Sequence, residues 1–308
     1  MDALVALRSA VRVSLEKFSP GDVILVAVSG GADSLALAEA AKLEGEKLTL
    51  KIIGVTVDHQ LQNNSAVQAE NVVNQLTIPC LIEKVSVQIT DGLEASARRA
   101  RYEALDKCAK ENNAVAVLLG HTKDDQAETV LLGLARGSGA RSLSGMADEN
   151  GIYLRPFLNT TREQTVAACK ELNLQPWNDP HNDDSSFLRV RVRKEVLPIM
   201  ERELGPGVKD ALVRSAQLLR DDADALDALA VAFWKADKTL EIEALSKLAK
   251  AVRTRVLRLA LFESGVSQLS AEQVGQVEAL ISNWKGQGEV SLPSGVKVSR
   301  IWGRLTLS

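Results

Sequence analysis

At 308 residues, the chain is long enough for two domains of ordinary size. Its 25% of charged and 45% of hydrophobic residues are typical of a globular protein and exclude a disordered or fibrous one. The net charge of −3 excludes a global basic field, so local patches would have to attract any nucleic-acid partner.

The N-terminal stretch MDALVALRSAVRVSLEKF predicts an amphipathic helix, because apolar residues recur in it at helical spacing among charged ones. It does not resemble a signal peptide, whose apolar core is uninterrupted. No stretch approaches the ~20 apolar residues of a membrane span, so no membrane contact is expected. The cysteines at 80, 108 and 169 form no closely spaced pair, which argues against a disulfide framework or a zinc or iron–sulfur cluster. We therefore expect a reduced, cytoplasmic protein.

Four short apolar runs alternate with segments of helical period in the first half of the chain. The runs are VILVAV (23–28), LKIIGVTV (50–57), CLIEKV (80–85) and AVAVLLG (114–120), and the helices are expected near 34–44, 65–77, 94–112 and 124–136. This alternation predicts an α/β fold of Rossmann-like type, a parallel sheet with helices on both faces. Ligands of such sheets bind beyond the carboxyl ends of the strands. The loops at 29–34, 58–64 and 121–125 are therefore expected to face one crevice.

The pattern changes after residue 150. Thr160 and Glu163 have capping-box spacing for a helix at about 161–173, and a basic helical stretch FLRVRVRKEVLPIM follows a polar loop. The breaker cluster LGPG (204–207) predicts a domain boundary. The expected domains are 1–207, including a helical extension at 151–203, and 208–308. The second is smaller and mainly helical, with three helices over 208–284 and short strands over 288–307.

The sequence SGGADS directly follows the first predicted strand, and we interpret it as a phosphate-binding loop. Glycines between a strand and a helix leave backbone N–H groups free to face an anion. A carboxylate beside polyphosphate requires a cation between them, so Asp33 predicts bound Mg²⁺. His59, after the second strand, could contact the same ligand or be a hydrogen-bonded loop histidine. The expected ligand-binding residues are Ser29, Gly30, Gly31, Ala32, Asp33 and Ser34.

The stretch GHTKDDQAETVLLGLARGSG (120–139) places His121 just after the fourth strand and three carboxylates on the first turns of the next helix. Asp125 and Glu128 are three residues apart and share a face. Carboxylates at a helix N-terminus, here Asp124, Asp125 and Glu128, are also good capping residues. Convergence with Asp33 on one crevice favours a site for metal binding and proton transfer.

Two groups of arginines are candidate RNA contacts. In EASARRARY (94–102), Arg98 and Tyr102 lie four residues apart on one helical face, which suits a phosphate or a splayed base but is also typical of a solvated face. The second group could hold RNA phosphates, or could instead pair with the acidic residues at 183 and 184. Its members are Arg136, Arg141, Arg189 and Arg193.

Together these stretches resemble the tRNA(Ile)-lysidine synthase family of the PP-loop, or N-type ATP pyrophosphatase, superfamily. The resemblance covers roughly residues 23 to 200 and includes VDHQLQNNS (57–65), RPFL (155–158) and DPHNDDSSFLRVRVRKEVLP (179–198). It implies an adenine nucleotide alpha hydrolase-like fold and the use of ATP with Mg²⁺. By the same resemblance, Asp33 and Asp125 manage the metal, while His121 and Glu128 contact the reacting cytidine or the lysine. Arg98 is implied as a further active-site residue.

The resemblance also implies a reaction. Cytidine 34 in the CAU anticodon of tRNA(Ile) attacks the α-phosphate of ATP through its C2 oxygen, and pyrophosphate leaves. Free lysine then displaces AMP from the adenylated base, and lysidine forms. Two alternatives stay open: a PP-loop enzyme that inserts sulfur into tRNA, and a non-enzymatic module that binds adenine nucleotides. The oligomeric state is not fixed by the sequence, and a homodimer is among the open states.

Overall fold

A computed structural model describes residues 3–60, 64–89, 92–137, 139–179, 183–236 and 238–308, without the side chains of residues 93 and 94. Contacts between residues divide the chain into two units, 1–217 and 218–308. The division falls inside one long helix, α10 (Val208–Ala236), which begins just after the LGPG stretch. The sequence predicted a boundary at the start of this helix. No helix among the described residues is long and apolar enough to cross a membrane.

The first unit contains the predicted alternation of strands and helices. Its further elements, in chain order, are α1 (Ala3–Leu15), β1 (Val23–Ala27), α2 (Ala32–Leu48), β2 (Lys51–Asp58), α3 (Ser65–Gln75), β3 (Cys80–Lys84), α4 (Leu93–Glu111), β4 (Ala114–Leu118), α5 (Lys123–Ala135), α6 (Ala140–Leu143), β5 (Glu149–Asn150), β6 (Tyr153–Leu154), α7 (Arg162–Glu171), α8 (Leu188–Arg191), a π-helical turn (Val192–Val196) and α9 (Leu197–Glu203).

The sheet has the strand order β3-β2-β1-β4-β6-β5. All neighbours are parallel except β5 and β6, which form an antiparallel pair at one edge. From β1 the chain adds strands first on one side and then on the other, so the order reverses between β1 and β4. In open α/β sheets the crevice at this reversal is where ligands bind. The expected α/β fold with a largely parallel sheet is confirmed.

Side chains of β1 alternate between two apolar layers, because successive residues of a strand point to opposite faces. Ile24 and Val26 pack with buried residues of α1 and α2 on one face. Leu25 packs with Leu105 of α4 and Val117 of β4 on the other. The sheet is therefore covered on both faces, which explains its nearly continuous apolar runs.

One local expectation was wrong, and two short strands were not predicted. The strands β5 and β6 were not predicted, because two residues are too few to show a strand period. The capping box of α7 is formed by Thr161 and Gln164 rather than by Thr160 and Glu163. Thr161 has an extended backbone, and its hydroxyl accepts the N–H of Gln164 at 3.3 Å. Thr160 is buried, and its carbonyl instead accepts the N–H of Lys123 at 2.8 Å.

The second unit continues α10 and adds α11 (Ile242–Ser246), α12 (Lys250–Glu263), α13 (Ala271–Ser282), β7 (Val290–Ser291), a 3₁₀ turn (Pro293–Gly295), β8 (Lys297–Ile301) and β9 (Arg304–Leu307). The strands form a three-stranded antiparallel sheet. Its apolar side packs with the helices around Leu245, Leu257 and Leu280. Inside this core Arg253 donates to Glu278 at 2.9 Å, so the buried charge is paired.

Glu44 of α2 connects the first two helices of the chain. Its carboxylate is buried and accepts from Arg8 and Arg12 of α1, both at 2.7 Å, and from Lys47 at 3.2 Å. The hydrogen bond from Arg12, together with those from Arg8 and Lys47, outweighs burial and lowers the pKa of Glu44 to about 2.

Glu44→Gln is expected to lower the free energy of unfolding at pH 7 by about 2–3 kcal/mol, because the lowered pKa is a stabilisation of the ionised folded state. The unfolded state takes up the proton first as the pH falls, so the difference from wild type stays full above pH 4.5 and shrinks towards pH 2. Urea unfolding at pH 7, 4 and 3 measures it. The control is Glu46→Gln, an exposed neighbour on α2. If wild type and Glu44→Gln differ in free energy of unfolding by the same amount at all three pH values, the lowered pKa of Glu44 is contradicted.

Candidate active site

The predicted phosphate loop lies between β1 and α2. Gly31 is the N-cap of α2 and provides no side-chain acceptor, so the first N–H groups of the helix face outward from its positive end. Ser34 holds the loop: its hydroxyl accepts the N–H of Ser29 at 3.1 Å and donates to the carbonyl of Gly31 at 2.9 Å. Gly30 has φ +87°, and a Cβ there would come within 2.6 Å of Val72. This geometry fits a bound phosphate group.

Gly120 allows the phosphate loop to approach the end of β4. A Cβ at this position would lie 3.2 Å from backbone atoms of Asp33 and Ser34. Backbone atoms cannot move aside as a flexible side chain can. The absence of a side chain at position 120 therefore brings the loop and the start of α5 together, at the point where the strand order reverses.

Asp33 and Asp125 are joined by Arg162, the first residue of α7. Nε of Arg162 lies 3.3 Å from Oδ2 of Asp33, and its Nη2 lies 3.2 Å from Oδ1 of Asp125. Thr165 donates its hydroxyl to Oδ1 of Asp33. Burial raises the pKa of Asp33, and the charge of Arg162 and the bond from Thr165 oppose this rise. The expected meeting of Asp33 and Asp125 thus occurs through a residue that the sequence analysis did not single out.

These two carboxylates suit a magnesium ion that also binds nucleotide phosphate. Among the described residues, no group of three or more His, Cys, Asp or Glu side chains is arranged to hold a metal alone. Mg²⁺ does not need such a cage, since it is commonly held by one or two carboxylates together with phosphates and water. Both carboxylates lie beside the phosphate loop, and Asp33 belongs to its first helical turn. The donor set therefore fits Mg²⁺ in complex with a nucleotide.

Asp125 also caps its own helix. Its Oδ2 accepts the N–H and the hydroxyl of Thr122, both at 2.9 Å. Burial raises the pKa of Asp125, but Arg162, Thr122, His121 and Arg193 together bring it below its usual value. The capping function and the site function considered from the sequence are thus carried by one side chain, which stays ionised.

Glu128 is completely buried and is bound by Arg193. Nε of Arg193 lies 2.6 Å from Oε1, and its Nη2 lies 3.0 Å from Oε2. Arg193 also reaches Oδ1 of Asp125 at 3.3 Å, and Arg189 lies 3.7 Å from Glu128. Burial raises the pKa of Glu128, against the effect of Arg193. Glu128 therefore positions Arg193 beside Asp125, and the role of Glu128 in contacting substrate stays a prediction.

His121 lies at the carboxyl end of β4 and is held neutral. Burial, against the opposing charge of Asp125 and together with the charges of Arg101, Arg155 and Arg98, lowers the pKa of His121 to about 3. Its Nδ1 is buried and has no hydrogen-bond partner among the described residues. A neutral imidazole with an unused nitrogen is suited to bind a polar group of a ligand.

The aromatic ring of Tyr102 gathers the arginines near His121. Arg98, which is exposed, lies 5.0 Å from the ring centroid, and Arg101 lies 5.8 Å from it. Tyr153 contacts the ring edge-on at 4.9 Å between centroids. Arg155, a buried residue that sequence reasoning missed, lies 3.5 Å from the Tyr102 hydroxyl. A planar cation above an aromatic ring offers a stacking surface for a base.

A cavity of about 130 Å³ opens beside the phosphate loop. Its walls include Ser29 of the loop, Asp58 and His59 at the end of β2, Gln68 of α3, and Trp177. Burial and the charge of Arg101 lower the pKa of His59, against the effect of Asp58. Two of the three loops expected to line one crevice therefore meet here, although residues 61–63 of the second loop lie outside the described residues. Trp177 was not predicted, since it follows no motif.

The four arginines proposed as RNA contacts fall into two pairs. Arg136 caps the end of α5 and Arg141 lies in α6, and both are exposed. Arg189 and Arg193 instead face Glu128, and Arg189 also donates to Thr129 at 3.0 Å. Their acidic partners are residues of α5 and not the Asp183 considered from the sequence, which pairs with Lys194.

The cysteines give no support to the sulfur-insertion alternative. Cys80, Cys108 and Cys169 lie on β3, α4 and α7, and none forms a disulfide. Burial raises their thiol pKa values to about 11, 12 and 11, respectively. Thiols of this kind are poor nucleophiles and poor metal ligands, because both reactions require the thiolate.

Two protein-family models match the chain. A family described as "PP-loop domain" matches residues 7–200, and one described as "TilS substrate binding domain" matches residues 240–306. The first match contains the phosphate loop, Asp125, Glu128 and Arg162. The second lies within the unit formed by residues 218–308.

Similar proteins share this sequence over most of their length. The chain is 47% identical over 312 residues to a tRNA(Ile)-lysidine synthase of Thermobifida fusca, covering 98% of this chain and 96% of the relative. It is 49% identical over 298 residues to the protein of that name from Streptomyces coelicolor, covering 92% and 85%. Among solved structures, the U34-tRNA thiolase NcsA of Methanococcus maripaludis is similar with a TM-score of 0.59 and 17% identity, covering 71% of this chain and 79% of that one. At this identity the likeness shows the fold alone.

The low pKa of His121 can be tested directly. We expect its Cε1–H resonance in ¹³C-histidine-labelled protein to stay unchanged between pH 8 and 5, because burial keeps the ring neutral until about pH 3. His121→Asn assigns the resonance, and the same sample in urea should regain an ordinary titration near pH 6.5. A midpoint near 6.5 in the folded protein would show that the ring is solvated and would contradict its assignment as a neutral group.

Proposed function

The chain belongs to the tRNA(Ile)-lysidine synthase family, and from this premise we propose how its residues form lysidine in tRNA(Ile) with ATP. The proposal includes free lysine as the second substrate, cytidine 34 of the CAU anticodon as the acceptor, and Mg²⁺ as the metal. One observation carries it: Asp33 and Asp125 are paired around Arg162 directly beside the phosphate loop. A homodimer remains an expectation.

In the proposed first step, the phosphate loop holds the part of ATP that leaves as pyrophosphate. The N-terminus of α2 and the N–H groups of the loop neutralise the charge that develops on the leaving group. Asp33 and Asp125 would hold Mg²⁺, which adds positive charge at the phosphates when bound. The cavity beside the loop supports placing the adenosine between His59 and Trp177, since bases bind against apolar and aromatic walls.

We assign the cytosine to the region around His121 and Tyr102. Anticodon bases are single-stranded and can be splayed into a pocket, where they stack and use their hydrogen-bonding edges. Arg98 above the Tyr102 ring supports a stacking role. His121 supports a hydrogen bond to the base edge, because its ring is neutral and its Nδ1 has no partner among the described residues. A role as general base is disfavoured, because an imidazole with so low a pKa is a weak proton acceptor.

In the proposed second step, the neutral ε-amine of lysine attacks C2 of the adenylated cytosine and AMP leaves. Arg193 is held beside Asp125 by its two bonds to Glu128, so the site has a fixed cation next to its ionised carboxylate. A fixed arginine of this kind suits the carboxylate of an amino-acid substrate. Glu128 then acts on the substrate through Arg193.

Transfer of radiolabelled lysine to a tRNA(Ile) transcript with anticodon CAU tests the proposed function. With ATP and Mg²⁺ we expect label in the C34 transcript and none in a U34 control transcript, because uracil lacks the amino-substituted ring that is converted. Omitting ATP should abolish transfer. Consumption of ATP without transfer of lysine to the C34 transcript would contradict the assigned acceptor or nucleophile, and a sulfur donor would be tested next.

The exposed pair Arg136 and Arg141 is expected to bind tRNA phosphates. Arg136→Glu with Arg141→Glu should weaken tRNA binding and reduce the slope of log K against log[KCl] by about 1–2, since each lost phosphate contact releases about one counterion fewer. Filter binding from about 50 to about 300 mM KCl measures the slope. The charge-reversal control is Lys110→Glu, an exposed residue in the last turn of α4. An unchanged slope would remove both arginines from the interface.

A further inference from the structure

Arg162 shares two carboxylates with the proposed magnesium ion, and the following inference rests on that proposed site. Each carboxylate has one oxygen already used by a protein donor. Oδ1 of Asp33 accepts from Thr165, and Oδ2 of Asp125 accepts twice from Thr122. The remaining oxygens, Oδ2 of Asp33 and Oδ1 of Asp125, both face Arg162, and Oδ1 of Asp125 also lies 3.3 Å from Arg193. A cation bound between the carboxylates would need the same two oxygens.

The contacts of Arg162 are suited to exchange. They measure 3.3 and 3.2 Å, which is long for hydrogen bonds between charged groups. The two arginines are similarly exposed, at 31% and 26%, but Asp33 and Asp125 are 20% and 10% exposed whereas Glu128 has no exposure. Arg193 binds Glu128 with two bonds of 2.6 and 3.0 Å. The structure therefore contains one tightly held arginine and one loosely held arginine around the same carboxylates.

The backbone of Arg162 is fixed while its side chain is not. Its N–H donates to Oδ2 of Asp124 at 2.9 Å, and Oδ1 of Asp124 accepts from Lys209 at 2.7 Å. The start of α7 is thereby tied to α5 and to the start of α10. A guanidinium released from Asp33 and Asp125 would stay beside the phosphate loop, because its backbone cannot move away. The neighbouring carboxylates of Asp124 and Glu128 are already bound by Lys209 and Arg193, so the phosphates of a bound nucleotide would be its new partners.

We propose that Arg162 is an exchangeable counter-ion, which neutralises Asp33 and Asp125 in the free enzyme and moves to nucleotide phosphate when a divalent cation takes the two carboxylates. A cation alone must displace Arg162 without giving it a new partner. A cation that arrives with a nucleotide supplies phosphate oxygens as the replacement. Binding of metal and of nucleotide is therefore positively coupled through this one side chain.

Binding of Mn²⁺, followed by electron paramagnetic resonance of the free ion, tests the proposal without catalysis. For Arg162→Gln we expect Mn²⁺ alone to bind about tenfold more tightly than to wild type, because the cation that bridges both carboxylates is gone, while Arg193 contacts only Asp125 of the two. The same variant should bind the non-hydrolysable α,β-methylene ATP more weakly, and this analogue should increase its affinity for Mn²⁺ less than in wild type. Lys170→Gln, an exposed change on the same helix, should behave as wild type.

Damage to the fold would weaken Mn²⁺ binding, whereas the proposal predicts tighter binding. The direction of the change in Mn²⁺ affinity therefore distinguishes the two. Mn²⁺ that binds Arg162→Gln no more tightly than wild type would overturn the proposal. If Arg162→Gln does not fold without metal, Arg162→Lys replaces it: a single ammonium cannot span both carboxylates, and an intermediate gain in Mn²⁺ affinity is expected. An Arg162→Lys variant that binds Mn²⁺ no more tightly than wild type would also overturn the proposal.

Asp33→Asn separates this proposal from the one on which it rests. The variant should lose Mn²⁺ binding in the presence of the ATP analogue, because one of the two metal ligands is gone. Unchanged Mn²⁺ binding in Asp33→Asn would overturn the magnesium site itself, and the counter-ion proposal with it. Loss in Asp33→Asn without a gain in Arg162→Gln would overturn the counter-ion proposal alone.

Discussion

Three acidic side chains at the crevice share their charge with arginines from distant parts of the sequence. Asp33 and Asp125 share Arg162, and Glu128 is bound by Arg193. Buried carboxylates are costly unless they are paired, and a site for polyphosphate cannot tolerate unpaired negative charge. The arrangement of α7 and of the π-helical turn beside α5 follows from this requirement. Both segments bring their arginines to carboxylates that the sheet has already placed.

The three carboxylates on the first turns of α5 each have a different function. Asp124 ties the starts of α7 and α10 to α5, Asp125 caps α5 and faces the phosphate loop, and Glu128 holds Arg193. One helix terminus therefore supplies architecture and chemistry together. The π-helical turn that contains Arg193 fits this role, since such turns re-aim side chains at functional sites.

Much of this organisation was predictable from local sequence. The four β-branched runs predicted β1 to β4, and SGGADS predicted the phosphate loop, because each signal lies within a few adjacent residues. Arg162 and Trp177 were not found, since their importance depends on which distant segments they meet in the folded chain. For Arg189 and Arg193 the sequence predicted part of the arrangement. Their spacing indicated a shared face, but only the packing against α5 identified Glu128 as their partner.

The bridge from Asp33 through Arg162 to Asp125 spans most of the first unit in sequence. Asp33 and Thr165 are separated by 132 residues, and Arg193 lies further along still. Contacts of such separation form late, since the entropy of closing long loops must be overcome first. On the ribosome, the phosphate loop and the first five helices can therefore be complete while the carboxylates still lack their arginines. Until α7 and the π-helical turn have emerged, the nascent chain would carry unpaired acidic groups at this edge of the sheet, so the site cannot be complete before both segments are made.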